Sequence, residues 1–188
     1  MRIGIFGGTF DPPHIGHLIA AQEVHVQLGL DRLLLMPAAV PPHKQDEVVT
    51  PGALRAEMLR AAVGDDGRFE VSELELDREG PSYTVDTLRE LRTRYPDAGL
   101  YLAVGADQMA EFGSWREPDA IAELATLVTF GRSGKSPDTE RWPVTAVDVP
   151  ELDLSSTMVR DRVRDGRPIR YLVAPAVEAM IRELGLYR

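Results

Sequence analysis

Two imidazoles three residues apart, His14 and His17, follow the run Gly7-Gly8-Thr9-Phe10-Asp11-Pro12 in a chain with four histidines in all. An imidazole can donate a hydrogen bond to a phosphate oxygen whether it is neutral or protonated. Gly7 and Gly8 carry no Cβ, so backbone can approach a ligand closely there. If helical geometry already holds at His14, both rings project from one face of a first helical turn, where unpaired N–H groups favour an anion. The arrangement fits a phosphate. Two other readings stand beside it: ordinary polar residues at a helix start, or a pair of metal ligands. Zinc would want more ligands than are offered by a chain with no cysteine and only His25 and His43 besides.

A second constellation lies at Leu154-Ser155-Ser156-Thr157-Met158-Val159-Arg160. Ser155 or Ser156 can cap a helix whose first amides again face an anion, and Ser156 and Arg160, four apart, share a face. A capped helix with an exposed arginine is the plainer reading. Lys44 follows Pro41-Pro42-His43, a stiff extended segment from which an ammonium can reach inward or simply lie in solvent. Arg132, just past an apolar run ending at Phe130, is a cation of the same kind. Thr84 is placed to cap a helix with Asp86 in its first turn. Gly105 and Asp107 follow another apolar run, and Trp115 sits eight residues beyond Asp107 as either a stacking platform or a partly buried anchor.

The elements that must position these residues alternate. Strands are predicted at 3–6, 32–36, 69–73, 100–105, 126–130 and 145–148. Helices are predicted at 15–28, 52–63, 84–95, 106–112, 119–124, 156–165 and 175–184. Such alternation implies a mostly parallel sheet covered on both faces, with ligands beyond the carboxyl ends of its strands. His14, the loop after Met36, and Gly105 all fall at that end. Loops 39–50 and 106–118 are expected to move with ligand, and 131–143 is expected to be mobile from its Gly, Ser and Pro content.

At 188 residues the chain is long enough for one sizeable core, so one domain over 1–188 is expected. Hydrophobic residues make up 44% and charged residues 27%, values for a soluble globular protein without a membrane span or leader, and the cytoplasm is the expected location. A net charge of −9 with no cluster of Lys and Arg argues against nucleic acid as a partner, but not against a small phosphorylated substrate. Such a site must then concentrate few cations, and Lys44 and Lys135 are the only lysines. The stretch 129–136 nearly spells a phosphate-binding Gly-x4-Gly-Lys-Ser loop, but Thr129 stands where Gly is required and Pro137 follows.

With these residues in view, Gly7 to His17, GGTFDPPHIGH, resembles the signature of nucleotidyltransferases that carry an (H/T)-x-G-H motif. Within them its wording is similar to that of the bacterial nicotinate-nucleotide adenylyltransferases. Ser155 to Arg160 resembles that family's SSTxxR motif, in the expected order along the chain. The PPHK segment at 41–44, PSYTVDTL at 81–88, the spacing of Gly105, Asp107 and Trp115, and GRPIRYLV at 166–173 extend the resemblance over nearly the full length. Two departures are Phe112-Gly113-Ser114 before Trp115, and Phe130-Gly131 before Arg132.

The resemblance implies a single Rossmann-like domain that transfers the adenylyl group of ATP to nicotinate mononucleotide, giving nicotinate adenine dinucleotide and pyrophosphate in NAD biosynthesis. It assigns catalysis to His14, His17, Lys44 and Arg160. It places Gly7, Gly8, Thr9, Phe10, His17, Gly105, Asp107, Arg132, Ser155, Ser156, Thr157 and Arg160 around ATP, and Lys44, Tyr83, Thr84 and Trp115 around the nicotinate nucleotide. Mg²⁺ is expected to arrive on the ATP phosphates, with no protein ligand named. The attacking phosphate is already an anion, so positioning and charge stabilisation suffice without a general base. Nicotinamide mononucleotide or phosphopantetheine as acceptor, a nucleotide-sensing module without turnover, and a homo-oligomer stay open.

Overall fold

Continuous apolar runs such as Ile3-Gly4-Ile5-Phe6 and Leu33-Leu34-Leu35-Met36 suit strands buried on both faces, which is how parallel strands sit. In a computed structural model, which describes residues 1–39, 50–78, 80–131 and 141–188, these runs form a six-stranded parallel sheet. Its strands are β1 (Arg2–Gly8), β2 (Arg32–Pro37), β3 (Phe69–Val71), β4 (Gly99–Gly105), β5 (Thr126–Phe130) and β6 (Val144–Val147). Their order across the sheet is β3-β2-β1-β4-β5-β6, every neighbouring pair parallel. The connection reverses direction between β1 and β4, the place where open sheets of this kind leave a crevice for ligand.

Helices cover both faces: α1 (Ile15–Leu28), α2 (Gly52–Val63), α3 (Thr84–Arg94), α4 (Ala106–Met109), α5 (Pro118–Leu124), α6 (Ser156–Arg164) and α7 (Pro175–Glu183). Ile3 and Ile5 face one layer, with Leu88 and Leu91 of α3 and Ile121 of α5. Phe6 faces the other, with Ala20, Ala21 and Val24 of α1 and Leu59 of α2. Strand alternation puts Gly4 on that second face, where a Cβ would come within 2.4 Å of Leu33 Cδ1 and 2.6 Å of Leu30 Cδ1. A third cluster, Met58, Val159, Ile169, Val173, Val177 and Ile181, joins α2 to α6 and α7. It anchors the C-terminal helices beside the β1 crevice. No helix among the described residues is long and apolar enough to cross a membrane.

Three expected elements differ in extent by two residues or more at one end. β1 runs on through Gly7 and Gly8, which pair with Met36 and Pro37, so the glycines end a strand before the turn begins. The helix expected over 106–112 stops at Met109 and is followed by a single 3₁₀ turn, Phe112–Ser114, because Phe112 is drawn into the core against Trp142 at 5.2 Å. β3 stops at Val71, two residues early, although the Ser72 N–H still donates to Leu35 O at 2.9 Å.

Candidate active site

The turn from β1 into α1 places both imidazoles. His14 is not yet helical: with φ −128° and ψ 169° it is the residue capping α1, and its N–H donates to His17 Nδ1 at 3.1 Å. The two rings stack 3.6 Å apart at 21°. Because Nδ1 of His17 accepts that bond, the proton of the neutral ring resides on Nε2, which is left as a donor. Burial, then the proximity of His14, holds His17 well below the ordinary imidazole pKa, and burial brings His14 down to about 4. Both are neutral at pH 7. Gly16 makes the stack feasible, since a Cβ there would lie 3.0 Å from His14 Nδ1.

Phe10 supports this pair from below. Its ring is buried, 4.9 Å from His17 and 5.8 Å from Phe6, and its backbone is left-handed at φ 50°. A phenylalanine there costs about 1–2 kcal/mol, which burial of the ring offsets. The Phe10 side chain therefore faces the core, and only its backbone is available to a ligand.

A buried cation that sequence reasoning passed over fixes the loops around the crevice. Arg55 of α2 is 1% exposed; its guanidinium donates to Thr9 O at 2.6 Å, Ala38 O at 2.7 Å and Thr50 O at 2.8 Å. These carbonyls belong to the loops after β1 and β2 and to the entry into α2. A trans peptide's N–H points away from its C=O, so anchoring Thr9 O turns the Phe10 N–H away from Arg55, and that N–H has no partner among the described residues. Beside Arg55, the buried Asp11 carboxylate accepts from Thr50 N at 3.1 Å and from the Tyr187 hydroxyl at 2.5 Å. Burial, with the bond to Asp11, raises the Tyr187 hydroxyl above the ordinary phenol range, so it stays a donor.

The SSTMVR segment meets this loop from the far end of the chain. Ser155 caps α6, its Oγ accepting from Met158 N at 3.1 Å. Ser156 Oγ donates to Pro12 O at 2.9 Å, and Arg160 donates to Asp11 O at 2.8 Å and to Thr157 Oγ1 at 3.2 Å. The hydroxyl and guanidinium four residues apart do converge, and they converge on the carbonyls of the Asp11-Pro12 peptides.

Two cavities meet along this crevice. One, of about 390 Å³, is lined by His14, His17, Gly105, Asp107 and the stretch 149–154. The other, of about 460 Å³, holds Tyr83, Thr84 and Trp115 with Gly7, Gly8 and Thr9. Gln108 lines both and marks their junction. Thus Gly7, Gly8 and Thr9, expected around ATP, sit on the same side as the residues expected around the acceptor. Trp115 answers to both of its readings: it packs 5.5 Å from Phe112 at a 54° tilt and remains partly open to the cavity. Thr84 does not cap α3; Tyr83 is the capping residue, without a side-chain bond, and Thr84 is the first helical residue.

In place of a cap, the start of α3 is held by Glu75. Burial raises the pKa of its carboxyl, which accepts from Thr87 Oγ1 at 2.8 Å and is hydrogen-bonded by Ser82, while Ser82 Oγ accepts from Ala39 N at 3.2 Å. Lys44 and Arg132, both expected at the site, lie outside the described residues, as does Lys135. Among the described residues no three His, Asp or Glu side chains come together to hold a metal ion.

The chain is similar to known proteins both in sequence and in fold. The family model described as cytidylyltransferase-like matches residues 5–162. A Thermus thermophilus protein named "Probable nicotinate-nucleotide adenylyltransferase" is 50% identical over 188 residues, all of both chains. The Bacillus subtilis nicotinate-nucleotide adenylyltransferase is 43% identical over 186 residues, 99% of this chain and 98% of that one. In fold, the chain is similar to Plasmodium falciparum nicotinic acid mononucleotide adenylyltransferase complexed with NaAD, with a TM-score of 0.84 and 18% identity over 99% of this chain and 97% of that one. By sequence over its whole length and by the architecture around its paired imidazoles, the chain belongs to the nicotinate-nucleotide adenylyltransferase family.

Proposed function

We propose that this protein transfers the adenylyl group of ATP to nicotinate mononucleotide, releasing pyrophosphate and forming nicotinate adenine dinucleotide in NAD biosynthesis. The observation that carries the proposal is the meeting of two cavities at Gln108, with His14 and His17 on one side and the first turn of α3 on the other. ATP takes the first cavity and the acceptor the second, so that the acceptor's 5′-phosphate reaches the α-phosphorus near the junction. The phosphate oxygen forms a bond to that phosphorus as the bond to the β-phosphate oxygen breaks.

The acceptor phosphate is an anion at neutral pH and needs no base, so the chain contributes position and charge stabilisation. His17 Nε2–H donates to the α-phosphate as charge builds, its direction set by the His14 N–H on Nδ1. A ring held neutral keeps this role across the neutral pH range. The Thr84 N–H opens α3 without an intrahelical partner and, at the cavity wall, suits the carboxylate of the pyridine ring. Ser155, Ser156, Thr157 and Arg160 follow directly on Leu154, the last residue of that segment to line the first cavity, and are proposed to meet the nucleotide phosphates from there; Arg160 would exchange its Asp11 carbonyl for a phosphate oxygen. Lys44 and Arg132 are proposed as further cations for the phosphates.

Mg²⁺ would be carried by the nucleotide, since it prefers phosphate oxygens and water to a protein cage. Bound there, it would supply charge neutralisation for the leaving pyrophosphate. The test is pyrophosphate release from ATP and Mg²⁺ with nicotinate mononucleotide, nicotinamide mononucleotide and phosphopantetheine offered separately. Strong preference for the first supports the proposal. Turnover with only one of the others retains adenylyl transfer and refutes the acceptor, and no release with any of them refutes the reaction.

A further inference from the structure

The acceptor cavity carries a cation that no sequence motif pointed to. Of its lining residues among those described, Arg116 is the only Lys or Arg. Its guanidinium lies 4.6 Å over the ring of Tyr83, the residue that caps α3. This sets a positive charge over the side chain of the residue at the N-terminus of that helix.

Its present partners leave it available. Asp86 and Glu117 stand 3.6 and 3.8 Å from Arg116, beyond hydrogen-bond length, whereas Arg89 takes Glu117 in two bonds of 2.6 and 3.2 Å and stands 3.6 Å from Asp86. Arg116 is thus bound to its carboxylates only through space, with its side chain 52% exposed at the cavity mouth. The one carboxyl among the described lining residues, Glu75, is buried, which raises its pKa, and is engaged by Thr87 and Ser82.

Resting on the acceptor reading above, we infer that the Arg116 side chain is a specificity-determining residue that pairs with the ring carboxylate of the acceptor and so favours nicotinate over nicotinamide mononucleotide. A planar guanidinium matches a carboxylate with two parallel N–H donors, and a carboxamide, uncharged and presenting one acceptor oxygen, cannot reproduce that pairing. Stacking on Tyr83 holds the fork in one plane, limiting the ordering needed when the acceptor arrives.

The experiment measures kcat/KM for both acceptors, at saturating ATP and Mg²⁺, in the full chain and in Arg116→Gln and Arg116→Lys. The expected result is a tenfold or greater loss with nicotinate mononucleotide in Arg116→Gln, carried mainly by KM. Activity with nicotinamide mononucleotide should change less than threefold, and Arg116→Lys should recover part of the preference. Equal losses with both acceptors would assign Arg116 to closure of the cavity and overturn the inference, as would an unchanged preference in Arg116→Gln. If the unaltered protein turned over neither acceptor, the acceptor reading itself would fall, a result distinct from either of these.

Discussion

Replacing Arg55 by methionine should destabilise the protein far more than its place in an amphipathic helix suggests. The guanidinium bridges three chain segments through bonds of 2.6, 2.7 and 2.8 Å, and lies beside the buried Asp11 carboxylate. Methionine fills much of the volume but leaves Thr9 O, Ala38 O and Thr50 O without that donor and Asp11 without its nearby cation. Removing one partner from a buried charged network costs about 3–5 kcal/mol, and for a chain of this size each kcal/mol lowers Tm by about 2–4 °C. The expected fall is therefore on the order of 6–20 °C. Urea denaturation followed by circular dichroism gives the free energy directly, with Arg55→Lys as the companion. An ammonium restores the charge but cannot span carbonyls on three segments as a planar fork does, so it should recover less than half of the loss. A change within about 1 kcal/mol for Arg55→Met would refute the claim that this side chain ties the site's loops together.

Further outcomes follow from the imidazole pair. His17→Ala removes the donor aimed at the α-phosphate and should lower kcat by about 10²–10³; ATP affinity measured by calorimetry should change little, and a kcat within threefold of the parent would exclude that role. Gly16→Ala should separate activity from stability. The added Cβ meets His14 Nδ1 at 3.0 Å and Cε1 at 3.1 Å, so the stack must shift, while alanine favours the helix by about 0.5–1 kcal/mol. Turnover should fall about tenfold with Tm unchanged or higher, and retained turnover would show that the stack's spacing is unimportant. Stability should also decline on acidification. His14 is depressed from 6.5 to about 4, so the unfolded chain takes up its proton first, and the stabilisation present above pH 6.5 is lost progressively down to about pH 4. That interval corresponds to about 3 kcal/mol, and a His14→Asn variant with the same pH dependence of unfolding would contradict the assignment.

The pairing of His14 with His17 and the capped helix start at Ser155 were legible in the sequence because they depend on local spacing. His14 and His17 need only a turn and a helix start, and Ser155 announces its cap by type. The sheet was legible for a similar reason, since strands buried on both faces read as unbroken apolar runs. What escaped were residues whose partners are distant in the chain. Arg55 touches carbonyls up to 46 residues away and Tyr187 reaches Asp11 across 176. A signal for Arg55 did exist: it falls on the helix stripe shared with Met58 and Leu59, both fully buried, where a charge must be paired. Tyr187, near the chain's end, carried no comparable mark. The reading of Thr84 as a cap failed by one residue: Thr84 is already helical, and Tyr83, which takes the capping position, makes no side-chain bond.

The central claim is that the α-phosphorus of ATP passes directly to the phosphate of nicotinate mononucleotide at the junction of the two cavities. ATP labelled at that phosphorus, incubated with the protein, Mg²⁺ and nicotinate mononucleotide, tests it most directly. All transferred label should appear in a product with the mass of nicotinate adenine dinucleotide, with unlabelled pyrophosphate released in equal amount. Label emerging in ADP or free AMP, or remaining in ATP while the nucleotides bind, would contradict it.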